Sequence, residues 1–268
     1  MARTANLSIT FTEEQAMILE SAKDFCRDKS DITAVRALLN SETGFNADVW
    51  REMVDLGWTG IALPELYGGS GMGIGGTIPL VESMGRHLLC TPFISTTIAA
   101  QAIVRGGNKA QQAKWLPSIA EGAIGAMALL DNEDWGSNST SCILADSNGR
   151  RILKGKKLLV NDAAIADFFV VLAGYNDKPV MVIVEASQLA DTALDNKVLV
   201  DETKRAANVD FTGVLVSEDA VLTNGTDSLS DIRLIGALLV AAEATGCAAA
   251  ALDTIEDYMT TRESRLVA

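Results

Sequence analysis

The hydrophobic rhythm of the chain changes twice. From residue 12 to about residue 120 apolar positions recur at helical spacing, with Ile18, Ala22, Phe25 and Cys26 forming one stripe and Val49, Met53 and Leu56 another. Thr12 and Gln15 have the spacing of a capping box, hydroxyl to backbone amide and side chain back to backbone amide. Gly57 is placed to stop the second of these helices in the left-handed conformation. Thr91-Pro92 reads as a hydroxyl N-cap followed by proline at the first helical position of a helix ending at Gly106-Gly107, and residues 109–120 form one more short helix. Short β-type runs then follow at residues 126–130, 142–145, 152–160, 168–172, 180–184 and 209–216. Ser147-Asn148-Gly149 is a hairpin signal, because Asn and Gly both tolerate positive φ. Strands so close together, without helices between them, predict an antiparallel barrel or sandwich rather than βαβ units. From about Ser228 the helical pattern returns. The predicted class is α+β: a helical N-terminal domain (residues 1–121), an antiparallel β-barrel or sandwich middle domain (122–227), and a C-terminal helical segment (228–268).

Composition narrows the functions open to such a chain. Its 268 residues are 48% hydrophobic and 21% charged, apolar enough to bury a large core. The formal net charge of −13 argues against nucleic-acid binding by phosphate neutralisation and against docking on anionic membranes. Cys26, Cys90, Cys142 and Cys247 lie far apart, which fits a reducing cytoplasm better than a disulfide framework, and the start of the chain shows no apolar signal core. A single histidine, His87, leaves no metal site of usual spacing and no nucleophile–histidine pair, and reads as a helix-end residue. Residues 234–252 approach the length of a membrane span, but Glu243 at their middle makes a buried helix of a soluble protein the expected reading. Gly71-Met72-Gly73-Ile74-Gly75-Gly76 matches GxGxxG literally, yet no apolar strand precedes it and no acidic residue follows at ribose distance, so it is read as a loop.

Several phrases, in order, resemble those of the acyl-CoA dehydrogenase family. Trp58-Thr59-Gly60-Ile61-Ala62-Leu63-Pro64-Glu65-Leu66-Tyr67-Gly68-Gly69 is similar to its "GW…LPEEYGG" turn, and Ala166-Asp167-Phe168-Phe169-Val170-Val171-Leu172-Ala173 to its "ADW…V.AR" strand. Asp201-Glu202-Thr203-Lys204-Arg205 leading into Val209-Asp210-Phe211-Thr212-Gly213-Val214 resembles "D.TR……V.F.GV.V". Residues 238–262 resemble the first long helix of the family's C-terminal domain. The resemblance implies the same helical, β, helical order, FAD as cofactor, α,β-desaturation of an acyl-CoA ester, and electron transfer to an electron-transfer flavoprotein. In the family the last helix runs on into a bundle. The implied expectation is therefore a shortened chain, of little activity alone, acting as an enzyme or as a non-catalytic subunit within a homo- or hetero-oligomer.

The resemblance also places a site. The loop from Leu130 and Asp131 through Trp135 to Gly136, Ser137 and Asn138 stands where the family has "V-T-E-P-G-A-G-S-D", implying flavin contacts at Leu130, Asp131, Gly136 and Ser137 and substrate contacts at Ser137 and Asn138. Glu133-Asp134 replace Pro-Gly and Asp131 replaces threonine, so a solvated acidic turn is the competing reading and Asp131 the residue expected to obstruct. Leu159, Val160 and Asn161 stand where the family reads "W-I-T" against the flavin: Leu159 offers an apolar wall and Asn161 a donor amide. Desaturation needs a carboxylate base over the α carbon. Gly236 occupies the position from which one branch of the family supplies it. Glu243, seven residues on, lies on the same helical face but about 10 Å further along the axis, and a structural hydrogen bond to the β domain or a neighbouring subunit is its expected role.

Overall fold

The structure, a computed structural model, describes residues 12–134, 140–147 and 149–262. Helices α1 (Glu13–Lys29), α2 (Ile32–Leu39), α3 (Ala47–Asp55), α4 (Ile78–His87), α5 (Phe93–Gly106) and α6 (Lys109–Ala120) come first. Strands β1 (Gly125–Ala128), β2 (Ile143–Ser147), β3 (Arg150–Lys154), β4 (Lys156–Asn161), β5 (Phe168–Tyr175), β6 (Lys178–Glu185), β7 (Leu194–Lys197), β8 (Ala206–Asp210) and β9 (Leu215–Val216) follow, and α7 (Gly225–Thr261) closes the described chain. The capping box of Thr12 and Gln15 forms, and Gly57 takes φ 74° behind α3. At α5 the helix begins one residue later than expected: Pro92 is the N-cap and Thr91 makes no cap bond, since a φ of −79° suits proline there too.

The strands form a mixed sheet, β1-β5-β2-β3-β9 with β6 paired to β5, and a smaller antiparallel sheet β4-β8-β7. The sandwich expectation holds, with two corrections: the sheets do not close into a barrel, and β1 runs parallel to β5. The run expected as one strand over residues 152–160 is cut at Gly155, where φ is +130° and a Cβ would lie 2.8 Å from Cys142 Cα. Its halves serve different sheets.

Strand β5 explains why one chain has two cores. Phe168, Val170 and Leu172 face the helices, with Met181 and Ile183 of β6 beside them. The alternate residues Phe169, Val171 and Ala173 face the second core, which holds Val160, Val209 and Phe211. A strand covered on both faces needs apolar residues at both parities, which is why it reads as an unbroken hydrophobic run.

Helix α7 is long and apolar enough to cross a membrane by length and composition alone. Here it packs one stripe, Ser228, Ile232, Ile235, Leu239, Ala242 and Gly246, against α4 and α5. Burial is limited to that stripe, not spread over every face as its sequence led us to expect. The crossing with α4 is tight: a Cβ on Gly85 would lie 2.1 Å from the Glu243 carbonyl oxygen, and one on Gly246 would lie 1.9 Å from that of Glu82. Cys247 Sγ donates to the Gly85 carbonyl at 3.1 Å across the same contact.

Candidate functional site

A cavity of about 840 Å³ opens where the two sheets meet α5 and α7. Leu130, Leu158, Leu159 and Asn161 give it a β wall, Ser95 and Ile98 come from α5, and Ile232, Arg233, Gly236 and Val240 from α7. The β wall is joined where Leu158 N–H donates to Leu130 O at 2.8 Å. Between Lys157 and Val160 the β4–β8 register shifts, and Leu159 adopts φ 49° while its amide donates to Asn208 Oδ1 at 3.1 Å. Such a bulge re-aims a side chain, and here both Leu159 and Asn161 reach the cavity. Val160, expected at the flavin wall, instead points into the second core and is 1% exposed. With Leu159 and Asn161 both turned to the cavity, the residue between them takes the opposite face.

Asp131 is among the cavity-lining residues, yet its carboxylate, expected to obstruct, turns inward to Lys157, Oδ1 to Nζ 2.9 Å, with both side chains essentially excluded from solvent. The Cys142 amide donates to the same oxygen at 3.1 Å, and Lys157 Nζ also donates to the Leu129 carbonyl at 3.1 Å. Asp131 thus anchors the root of the loop. Trp135, Gly136, Ser137 and Asn138, the remainder of the predicted loop, lie outside the described residues, as does Asn148 of the hairpin.

Of the residues considered for the base, Gly236 faces the cavity, where an added Cβ would meet only Ile98 Cδ1 at 3.5 Å. Glu243 is not among the cavity-lining residues and is ion-paired with Lys204, just before β8. Burial works against the charge of Lys204, but Glu243, together with Asp162 and Asp201, holds its pKa above the ordinary lysine value.

Beside the pair lies Asp162, at φ 56°, whose Oδ2 is 2.5 Å from Ser95 Oγ. Burial pushes Asp162 up to about 6 against the pull of the Ser95 hydrogen bond and the Lys204 charge. Burial also raises Cys26 to about 12 and Cys142 to about 11, so both are protonated thiols at neutral pH. Burial, aided by Arg86 and Arg27, lowers His87, the last residue of α4. Among the described residues no group of three or more His, Cys, Asp or Glu side chains converges on a common point.

Ser95, Ile98 and Lys157 escaped sequence reasoning. The α5 residues carry no motif. Lys157 follows the exposed Lys156 at the polar start of β4, and nothing in the sequence separates the buried lysine from the exposed one.

Residues 12–123 match the family model described as acyl-CoA dehydrogenase, N-terminal domain. The chain is 29% identical over 177 residues to the acryloyl-CoA reductase (NADH) of Anaerotignum propionicum, covering 64% of this chain and 44% of that protein. It is 28% identical over 169 residues to an acyl-CoA dehydrogenase of Bacillus subtilis, covering 60% and 44%. The matches thus span under half the length of these relatives. In structure it resembles a chain of the ChsE4–ChsE5 complex from Mycobacterium tuberculosis, with TM-score 0.84 at 23% identity, covering 96% of this chain and 69% of that one.

Proposed function

We propose that this chain, which belongs to the acyl-CoA dehydrogenase family, holds FAD and an acyl-CoA thioester in the cavity between its β sheets and α7 and takes part in α,β-desaturation of the acyl group. The observation that carries this reading is the convergence of a flat apolar wall (Leu130, Leu158, Leu159), an amide at its end (Asn161) and an apolar helix groove (Ile98, Ile232, Val240) on one space of ligand size. Those residues fit a flavin ring: Leu159 would offer an apolar surface to it, and the Asn161 amide would supply a hydrogen-bond donor. When bound, FAD supplies the hydride acceptor, and by resemblance an electron-transfer flavoprotein takes the electrons onward. The protein's part is to exclude water, to hold the thioester in the α5–α7 groove and to fix the loop root through Asp131 and Lys157. Glu243, committed to Lys204, is not assigned the base.

The experiment is an absorption spectrum of the purified full chain with added FAD, followed by anaerobic titration with acyl-CoA esters. Flavin bands that bleach on acyl-CoA addition, and that disappear in Leu159→Asp, support the reading. A chain that binds no flavin, or a Leu159→Asp variant that binds it as well as the parent, overturns it.

A second reading, that the chain is one subunit of an oligomer that completes the site, is favoured by the solvent side of α7. Leu234, Leu238, Ala241, Thr245, Ala248, Leu252, Ile255 and Met259 are all exposed and follow one another at alternating spacings of four and three. That spacing is the seam of a helix packed against another helix.

A further inference from the structure

We infer that the Ser95–Asp162 pair is a specificity-determining contact, which accepts a hydrogen bond from a hydroxyl carried on the acyl chain in the cavity. This deepens the acyl-CoA reading of the site and rests on it.

Arg105 on α5 pairs with Asp231 on α7 at 3.1 Å, while Ile98 approaches Gly236, so the two helices run antiparallel. Ser95 therefore faces the Val240 end of the groove, away from Arg233, and shares that end with Asn161, the neighbour of Asp162 in sequence. An alkyl chain lying along Ile98, Ile232 and Val240 runs toward this polar end.

Ser95 Oγ lies 2.5 Å from Asp162 Oδ2 and 3.0 Å from the Pro92 carbonyl oxygen. One hydroxyl proton cannot serve two acceptors. With Asp162 ionised, Ser95 donates to its carboxylate. With Asp162 protonated, the carboxyl donates to Ser95 and Ser95 donates to Pro92. A hydroxyl has one donor and two acceptor lone pairs, so in either state at least one lone pair is left over. Ser95 is 6% exposed and is one of the residues that line the cavity.

An unsubstituted alkyl chain covers this lone pair and leaves it unpaired, whereas a hydroxyl on the chain pairs it. Leaving a buried acceptor unsatisfied costs more than a typical hydrogen bond gains, so the preference appears chiefly as discrimination against the plain chain. Asp162 acts through Ser95. It holds the hydroxyl's orientation from a left-handed backbone position that Asp tolerates, with Lys204, Arg205 and Glu243 as its charged surroundings.

The test measures binding, not turnover. S-alkyl-CoA thioethers, which cannot be desaturated, are titrated against the FAD-loaded full chain in pairs of equal length, one plain and one with the hydroxyl stepped along the chain. At one hydroxyl position the parent should bind about tenfold more tightly than it binds the plain thioether, the factor for one well-placed hydrogen bond. Ser95→Ala should abolish that difference while leaving the flavin spectrum in place. Ser95→Cys, with a similar shape and a poor acceptor, should abolish it too and covers the case in which the alanine variant folds badly. Binding of both thioethers without preference at any position overturns the assignment of the pair alone. Equal weakening of both ligands in the Ser95 variants also overturns it, since that is the signature of a merely structural serine. Binding of neither thioether by the parent overturns the acyl-CoA reading itself, and the assignment of the pair with it.

Discussion

Lys157 has its ammonium group wholly inside the protein, and the groups that keep it there govern how the Asp131 position behaves. A buried ion pair is weak evidence of net stability, but breaking one strands the other charge. Asp131→Thr, which would look from sequence like a change toward a better flavin loop, should therefore cost about 3–5 kcal/mol and lower the urea midpoint. Pairing it with Lys157→Met should recover most of that loss. A single variant as stable as the parent would show that the pair is not as buried as its geometry requires. Asp162 gives a second prediction at this scale. Its folded pKa, about 6, lies above the ordinary 3.8, so the native state binds more protons between those values. Its contribution to stability is complete below pH 3.8 and is lost as pH rises through 6. Asp162→Asn should remove that slope and make the protein more stable than the parent at pH 7, by roughly 1.4 kcal/mol for each pH unit separating the folded value from the ordinary one. Thermal unfolding of both across pH 4 to 7 (on the order of the window just derived) checks it, and parallel curves would refute it.

Helices and strands were legible where one local signal decided them. The Thr12 capping box, the Gly57 stop and the 109–120 helix could be read because each is settled within a few residues. The break at Gly155 was not legible, since it is forced by the approach of Cys142, just ahead of β2, and β7 was missed because Leu194–Lys197 carries no apolar alternation. The α4–α7 crossing is likewise a tertiary fact written in two glycines. Gly246→Ala places a methyl carbon on the Glu82 backbone, where no side chain can yield, so the helices must part and the cost should reach about 3 kcal/mol or more. On the same helix, Gly236→Ala meets only Ile98 at ordinary contact distance and should stabilise by up to about 1 kcal/mol through helix propensity. Chemical denaturation of the two variants should give shifts of opposite sign. A shift of the same sign in both would mean that α7 is not seated on α4 as described.

At the scale of the whole molecule, the order helical, β, helical was readable from periodicity, and the site was readable only in part. Leu130, Leu159 and Asn161 do share one cavity, as the family resemblance implied, although Leu159 reaches it only through the register shift in β4. The contribution of α5 and the inward turn of Asp131 depend on which elements meet in space, and no count along the sequence supplies that. The outer stripe of α7 carries the remaining prediction. Leu252 is 66% exposed and Met259 73%, too much apolar surface along one line for an isolated helix face. Sedimentation should show concentration-dependent self-association or a tight partner, and Leu252→Lys with Ile255→Lys should reduce it. A monomer of 28.4 kDa at all concentrations, equally so in the variant, would count against this.

The glycine crossing also divides α7 in time. At Glu243 and Gly246 the helix is clamped backbone to backbone against α4, whereas every residue from Ala251 to Thr261 is exposed, with Arg86 reaching across to Asp253. Amide protons before the crossing can exchange with deuterium only when α7 leaves α4 and α5, an event on the scale of global unfolding. Those after it need no more than fraying of a solvated end. One continuous helix should therefore show a step in exchange rate between Gly246 and Ala251, with the cavity wall at Gly236 and Val240 on the slow side of the step.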